Sequence, residues 1–185
     1  MVTQPVVDLD GRRRSRGAAL RDASAVQLRP VRIGDEPALR EFVETVSADS
    51  LRRRFCGSIS PAIAAASLAL RLDSDDIVLL AEVPGTPSIV GHAAAYRIGP
   101  ERAEVAFVIA DAWQGRGLGS IMLSRLATAV GEHGVTTLTA EVLPTNQAML
   151  TVFARSPHPV EMWPGADGVE VRIALALPAS AAVAA

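Results

Sequence analysis

The apolar positions fall into two periods, and the switches between them divide the chain into elements. Val26–Val31 reads as a first strand. Asp35-Glu36-Pro37 opens a helix: Asp35 can cap free amides, acids suit the first turn, and proline is tolerated there. Leu39, Phe42, Val43 and Val46 then recur at helical spacing and give one stripe that ends near Ser47. Ser50–Phe55 is a short helical turn carrying Arg52, Arg53 and Arg54. Ser60-Pro61 starts an alanine-rich helix that runs to about Arg71.

From Ile77 the pattern becomes extended. Ile77–Val83, Ile89–Ile98 and Glu101–Ile109 are three strands, separated by the turn Pro84-Gly85-Thr86-Pro87 and the breaker Gly99-Pro100. Together they read as an antiparallel meander. Trp113–Gly119 is a glycine-rich loop, Ser120–Val130 a helix, Thr136–Val142 a strand and Thr145–Ala154 a helix. Val160–Trp163 and Val169–Leu177, joined by the turn Gly165–Gly168, close the series. The order predicts an α/β (α+β) fold: a mixed, mainly antiparallel central sheet with helices on both faces. Residues 1–24 keep no period and read as a flexible leader. Residues 25–178 form one domain, and 179–185 a flexible tail.

Composition narrows the function. The chain has 185 residues, 49% of them apolar and 21% charged, enough to bury a core. The net charge of −2 lacks the basic excess of a nucleic-acid binder. No apolar run reaches bilayer length and the start lacks a basic n-region, so neither membrane insertion nor export is expected and a cytoplasmic location is the default. The single cysteine, Cys56, forms no internal disulfide or metal cluster and reads as a buried small residue. His92, His133 and His158 are scattered, without metal-ligand spacing. His133 precedes Gly134 near a helix end, where cationic side chains are favoured. Asp73, Asp75 and Asp76 read as an acidic loop that can attract a cation.

The sharpest chemical signal is the strand Val105–Ile109 feeding Gln114-Gly115-Arg116-Gly117-Leu118-Gly119 and then a helix. Closely spaced glycines let backbone approach a ligand, and first-turn amides can point at phosphate oxygens. The spacing is neither the dinucleotide fingerprint nor a P-loop. By itself the segment is either a phosphate cradle or a tight strand–helix connection.

The stretch Glu104–Gly119 strongly resembles the coenzyme A segment of the GCN5-related N-acetyltransferase (GNAT) family, whose Gln/Arg-x-x-Gly-x-Gly/Ala pattern falls on Gln114, Gly117 and Gly119. The run Glu141–Leu150, with Asn146, is similar to the family's next strand and helix. Arg29–Arg32 and Arg52–Phe55 resemble the catalytic domain of bacterial protein lysine acetyltransferases. The resemblance implies transfer of acetyl from acetyl-CoA to a primary amine, a protein lysine or a small molecule, with a homodimer as a family-level expectation. A weakly catalytic acyl-CoA-binding module is the rival reading.

The same resemblance implies residue roles. Acetyl-CoA would enter a gap between strands 101–109 and 136–142. Amides from Gln114 through Gly115, Arg116, Gly117, Leu118 and Gly119 to Ser120 would hold the pyrophosphate. Val108 and Ile109 would bond the pantetheine arm, with an amide near Val108 serving the oxyanion. Asn146 would reach the arm or a water. Glu104 would take the amine proton. That matters because an amine of pKa about 10.4 is charged at neutral pH, and restoring the nucleophile costs roughly 4 kcal/mol. Phe153 stands where many members place the tyrosine that protonates the thiolate, and is counted with the cofactor contacts. Tyr96, the only tyrosine, would substitute only if the fold brought it close. Pro157 and Pro159 break the family's usual ending after this helix.

Overall fold

The computed structural model describes residues 16–69 and 75–175. It contains an eight-stranded sheet in the order β1-β2-β3-β4-β5-β6-β8-β7. The strands are β1 (Arg16–Ala19), β2 (Ala25–Pro30), β3 (Ile77–Glu82), β4 (Ile89–Gly99), β5 (Arg102–Ile109), β6 (Thr137–Val142), β7 (Val160–Pro164) and β8 (Val169–Ala174). Every neighbouring pair is antiparallel except β5 and β6, which run parallel.

The helices cover both faces, as the pattern predicts. On one face α1 (Glu36–Glu44), α2 (Ala48–Phe55) and α3 (Pro61–Ala69) bury Leu39, Phe42, Val43, Leu51 and Leu68 against Val78, Leu80 and Val108. On the other, α4 (Leu118–Glu132) and α5 (Gln147–Ala154) bury Met122, Leu126, Val130 and Phe153 against Val105, Leu138 and Ile173. The alternation along β5 divides its side chains between these two cores, Ala103 and Val105 to one and Val108 to the other.

The first correction concerns the leader. Arg16–Ala19 is a strand, paired with β2 from Arg16↔Leu28 to Ala19↔Ala25. Its sequence, Arg-Gly-Ala-Ala, has no apolar alternation; its backbone ladder makes it a strand, and that leaves no periodic trace. Residues 1–15, the expected end of α3 near Arg71, the Asp73 part of the acidic loop and the expected tail 179–185 lie outside the described residues.

The second concerns Asp35. Its side chain does not cap α1. The carboxylate accepts instead from both terminal nitrogens of Arg29, at 2.7 and 2.8 Å, and from the Arg32 amide at 2.6 Å. Arg29 also reaches Glu82 on β3, which ties β2, β3 and the start of α1 together. Burial disfavours the guanidinium charge, but the two carboxylates outweigh it and hold its pKa above the ordinary value. Ser60 caps α3 as expected, accepting from the Ile63 amide at 3.4 Å, whereas Ser47, read as the end of α1, also caps α2 by accepting from the Ser50 amide at 3.2 Å.

Candidate active site

β5 and β6 pair only at Arg102↔Thr137, Ala103↔Leu138 and Glu104↔Thr139. Past Glu104 they splay. β6 stays with β8 along its whole length, and β5 stays with β4. A wedge opens between them with Glu104 at its apex. Beyond its wide end lies the turn that carries the glycines.

The wedge continues into a cleft of about 280 Å³. Phe107, Val108 and Ile109 of β5 line it, with the glycine loop and the first turn of α4 at one end. Asn146, Ala148, Thr151, Val152 and Arg155 form the wall from α5. Their i, i+3, i+4, i+7 spacing from Ala148 to Arg155 places them on one helix face. Ser50, Arg53 and Arg54 of α2 and Arg21 of the β1–β2 turn complete the lining. The motif residues Gln114, Gly115, Gly117, Leu118, Gly119, Ser120 and Asn146 thus meet at one cleft.

Each glycine has its own reason. Gly115 and Gly117 adopt φ of 74° and 91°, the left-handed region that favours glycine. Gly119 is needed for space, since a Cβ there would lie 3.3 Å from Val152 Cγ2 and 3.6 Å from Ile109 Cδ1. No side chain caps α4, so the Leu118, Gly119 and Ser120 amides stand in a first turn without intrahelical acceptors. The Gln114 amide differs. It donates to Asp111 O at 3.2 Å, so the run of amides open to a ligand starts after it.

The Gln114 side chain braces the loop instead. Its Nε2 donates to Ile109 O and to Ser50 Oγ, each at 3.0 Å. Asp111 accepts from the Ser47 amide and hydroxyl, both at 2.8 Å, and from the Ser50 hydroxyl at 2.9 Å. Burial would raise the Asp111 pKa, but these hydrogen bonds outweigh it and hold the carboxyl below its ordinary value. α2, the end of β5 and the loop are therefore one braced unit.

The expectation for Val108 is corrected by backbone direction. Ala110 N donates to Val90 O at 3.0 Å, across β4. Antiparallel pairing alternates, so the backbone groups of Val108 also turn toward β4, opposite His92. Those of Val105, Phe107 and Ile109 turn toward the wedge. Consistent with this parity, Glu101 O accepts from Thr137 N of β6 at 3.1 Å. Phe107 and Ile109, not Val108, carry the amides that face the gap.

Phe153 is corrected too. It is 1% exposed and stacks edge-on against Phe107, ring centroids 6.1 Å apart, beneath the cleft rather than lining it. The Arg116 guanidinium is also turned away, paired with Asp22 at 2.9 Å and stacked on Trp113 at 4.9 Å. Asn146 Oδ1 accepts from the Met149 amide at 3.2 Å to cap α5, which leaves its amide NH₂ to act toward the cleft. Tyr96 stands opposite Glu104 across β4 and β5 and accepts from Arg54 Nη2 at 2.7 Å; it is outside the cleft lining. Cys56 is exposed, against expectation, because it terminates α2 in the left-handed conformation at φ 50°. Although the residue is exposed, partial shielding of its thiol from water, and then the charge of Glu141, push its pKa up against the opposing charge of Arg54. His133 behaves as a helix-end residue, its Nδ1 2.8 Å from Ala129 O.

Sequence reasoning missed Arg21, Ser50, Phe107 and the α5 face. Helical spacing from Ala148 to Arg155 was a usable signal for that face; nothing local marks Arg21. Among the described residues no group of metal-binding side chains occurs, and no helix is long and apolar enough to cross a membrane.

A parallel pair splayed beside a glycine loop, within a largely antiparallel sheet, defines an acyltransferase fold. The comparisons agree: residues 44–156 match the model of the Acetyltransferase (GNAT) family, and the chain belongs to that family. It is 34% identical to Acetyltransferase Pat of Mycolicibacterium smegmatis over 132 residues, 69% of this chain and 39% of that protein. It is 33% identical to the L-2,4-diaminobutyric acid acetyltransferase of Nocardia farcinica over 83 residues, 40% of this chain and 43% of that one. The chain thus spans about two-fifths of these curated relatives. Among solved structures, the GNAT domain of S. lividans PAT superposes with a TM-score of 0.75 at 29% identity, covering 87% of this chain and 97% of that one. The Salmonella typhimurium putative acetyltransferase yncA, solved with acetyl-CoA, shares the fold at a TM-score of 0.63 and 19% identity, over 83% of this chain and 96% of that one.

Proposed function

We propose that the protein transfers acetyl from acetyl-CoA to a primary amine, with a protein lysine as the favoured acceptor. The observation that carries this reading is the wedge itself, with unpaired first-turn amides at its wide end and a carboxylate at its apex. The residues fit the acyl donor in charge and in shape. The amides of Gly115 to Ser120 lie where a pyrophosphate would be held, and the cleft floor offers the Phe107 and Ile109 amides to an amide-bearing arm. When bound, acetyl-CoA supplies an activated thioester acyl group.

The chain's own part is proton handling and orientation. Glu104 is exposed and sits where the two strands part. It accepts the amine proton, directly or through a water. The Phe107 and Ile109 amides offer positive charge to a carbonyl oxygen in the gap. Phe153 offers no proton to a departing thiolate, and none would be required of it, because thiols of pKa near 8.5 are adequate leaving groups. The resemblance of Arg29–Arg32 and Arg52–Phe55 to bacterial protein lysine acetyltransferases favours a protein lysine. Likeness over a shorter stretch to a diaminobutyric acid acetyltransferase supports a small diamine as the second reading.

The test is coenzyme A release with acetyl-CoA against a panel of protein lysines, amino acids and polyamines. Release should require the amine, and Glu104→Gln should lower kcat by about 10²–10⁴-fold. An unchanged rate and pH profile in that variant would remove Glu104 from the role. Tight binding of acetyl-CoA with no turnover on any amine would instead support a binding module.

A further inference from the structure

The β1–β2 turn is built against the glycine loop. Leu20 N donates to Ser24 O at 2.8 Å, and Asp22 accepts from the Ser24 amide at 3.0 Å, which closes the turn on itself. Two ties then fix it to the loop: Arg21 N donates to Arg116 O at 3.0 Å, and Asp22 pairs with the Arg116 guanidinium at 2.9 Å. The basic side chain of the loop is thereby spent on Asp22 and on Trp113. A different guanidinium takes its place at the cleft. Arg21 lines it and lies directly over Gly117, where a Cβ would be 3.2 Å from Nε, 3.4 Å from Cγ and 3.5 Å from Cδ. Among the described residues no ion pair engages Arg21.

We propose that Arg21 is a phosphate ligand for the acyl donor, delivered to the glycine loop by the β1–β2 turn. The proposal rests on the acetyl-CoA reading above and adds a contact that the loop amides do not provide. Those amides present partial charge, whereas Arg21 adds a full charge with a planar set of donors suited to phosphate oxygens. Its backbone is held by Arg116, so the side chain starts from a fixed point beside the loop and only its own rotamers are ordered on binding. Pyrophosphate and the ribose 3′-phosphate offer the same chemistry, and the experiment separates them.

Binding of acetyl-CoA is measured by calorimetry on the full chain, wild type against R21A and R21K. R21A should bind about 10- to 100-fold more weakly, with R21K between. If R21A does not fold, shown by its thermal unfolding, R21Q carries the same comparison. Acetyl-dephospho-CoA assigns the contact: a loss that vanishes with this ligand points to the 3′-phosphate, and one that persists points to the pyrophosphate. S-acetylpantetheine, which has no phosphate, is then used as acyl donor, and R21A should match wild type in kcat/KM. An equal deficit with S-acetylpantetheine would mean that Arg21 merely supports the loop, and would overturn the proposal. So would wild-type affinity of R21A for acetyl-CoA. Failure of the wild-type protein to bind acetyl-CoA would sink the underlying reading as well, which sets the two failures apart.

Discussion

Gly117 concentrates two constraints in one residue. Its φ of 91° disfavours any L side chain, and the first atom of such a side chain would press on Arg21 at 3.2 Å. Gly117→Ala should therefore cost about 1 kcal/mol in backbone strain, push Arg21 aside and weaken acetyl-CoA binding roughly tenfold. Calorimetry together with a thermal melt checks both parts; unchanged affinity would detach the loop from the ligand. Residue identities in this loop were readable from sequence because glycine spacing is itself the signal. Backbone direction on β5 was not. Whether Val108 or Phe107 faces the gap depends on which residues of β5 bond β4, and that parity follows from the pairing register, which side-chain pattern does not encode. Phe153 misled for a related reason: a family position was legible, but the T-shaped contact that draws its ring into the core depends on Phe107 on a distant strand.

At the scale of elements, polar ties join pieces that hydrophobic packing alone would leave adjustable. Arg29 is 7% exposed and links β2 to β3 through Glu82 and to the start of α1 through Asp35. Arg29→Met would leave two carboxylates, themselves only 13% and 14% exposed, without their cation. A destabilisation of about 3–5 kcal/mol is expected, read as a lower urea midpoint at unchanged slope. A loss under 1 kcal/mol would mean that water replaces the guanidinium. Strands and helices with sustained periods were legible to within a few residues, including the meander and both helices beside the cleft. β1 was not, since four residues of Arg-Gly-Ala-Ala hold their place by a ladder with β2. Arg21 was therefore hidden from sequence reasoning: its role depends on a turn that exists only once β1 has paired. The Asp35 cap failed for an energetic reason, because Arg29 is a stronger partner for that carboxylate than a backbone amide.

The molecule as a whole stacks two cores on one sheet, and His92 lies within the sheet between them and the cleft. It pairs with Leu80 on one side and Val108 on the other and is fully buried; among the described residues neither ring nitrogen makes a hydrogen bond of good geometry, the backbone of Leu68 giving only a weak contact. Burial first, and then the charge of Arg54, drive its pKa down to about 3, while the backbone near Leu68 offsets only part of this. In the unfolded chain the same imidazole titrates near 6.5. A depressed folded-state pKa means that the unfolded state takes up the proton first. Stability from this residue is complete above about pH 6.5 and drains as the pH falls toward 3, by up to about 1.4 kcal/mol per pH unit. At pH 5 the deficit should be near 2 kcal/mol. Carboxylates with lowered pKa, such as Asp111, act in the same direction at lower pH but are common to wild type and variant. The decisive quantity is therefore the difference between wild type and His92→Leu in urea unfolding at pH 7 and pH 5. The variant should gain on wild type by about 2 kcal/mol over that interval, because leucine removes the proton site; loss of the ring nitrogens shifts both pH values alike and cancels from the difference. Parallel stability curves would show that the imidazole finds a proton-accepting partner in the folded state. In that case the sheet beside Val108 is more open to water than its packing indicates.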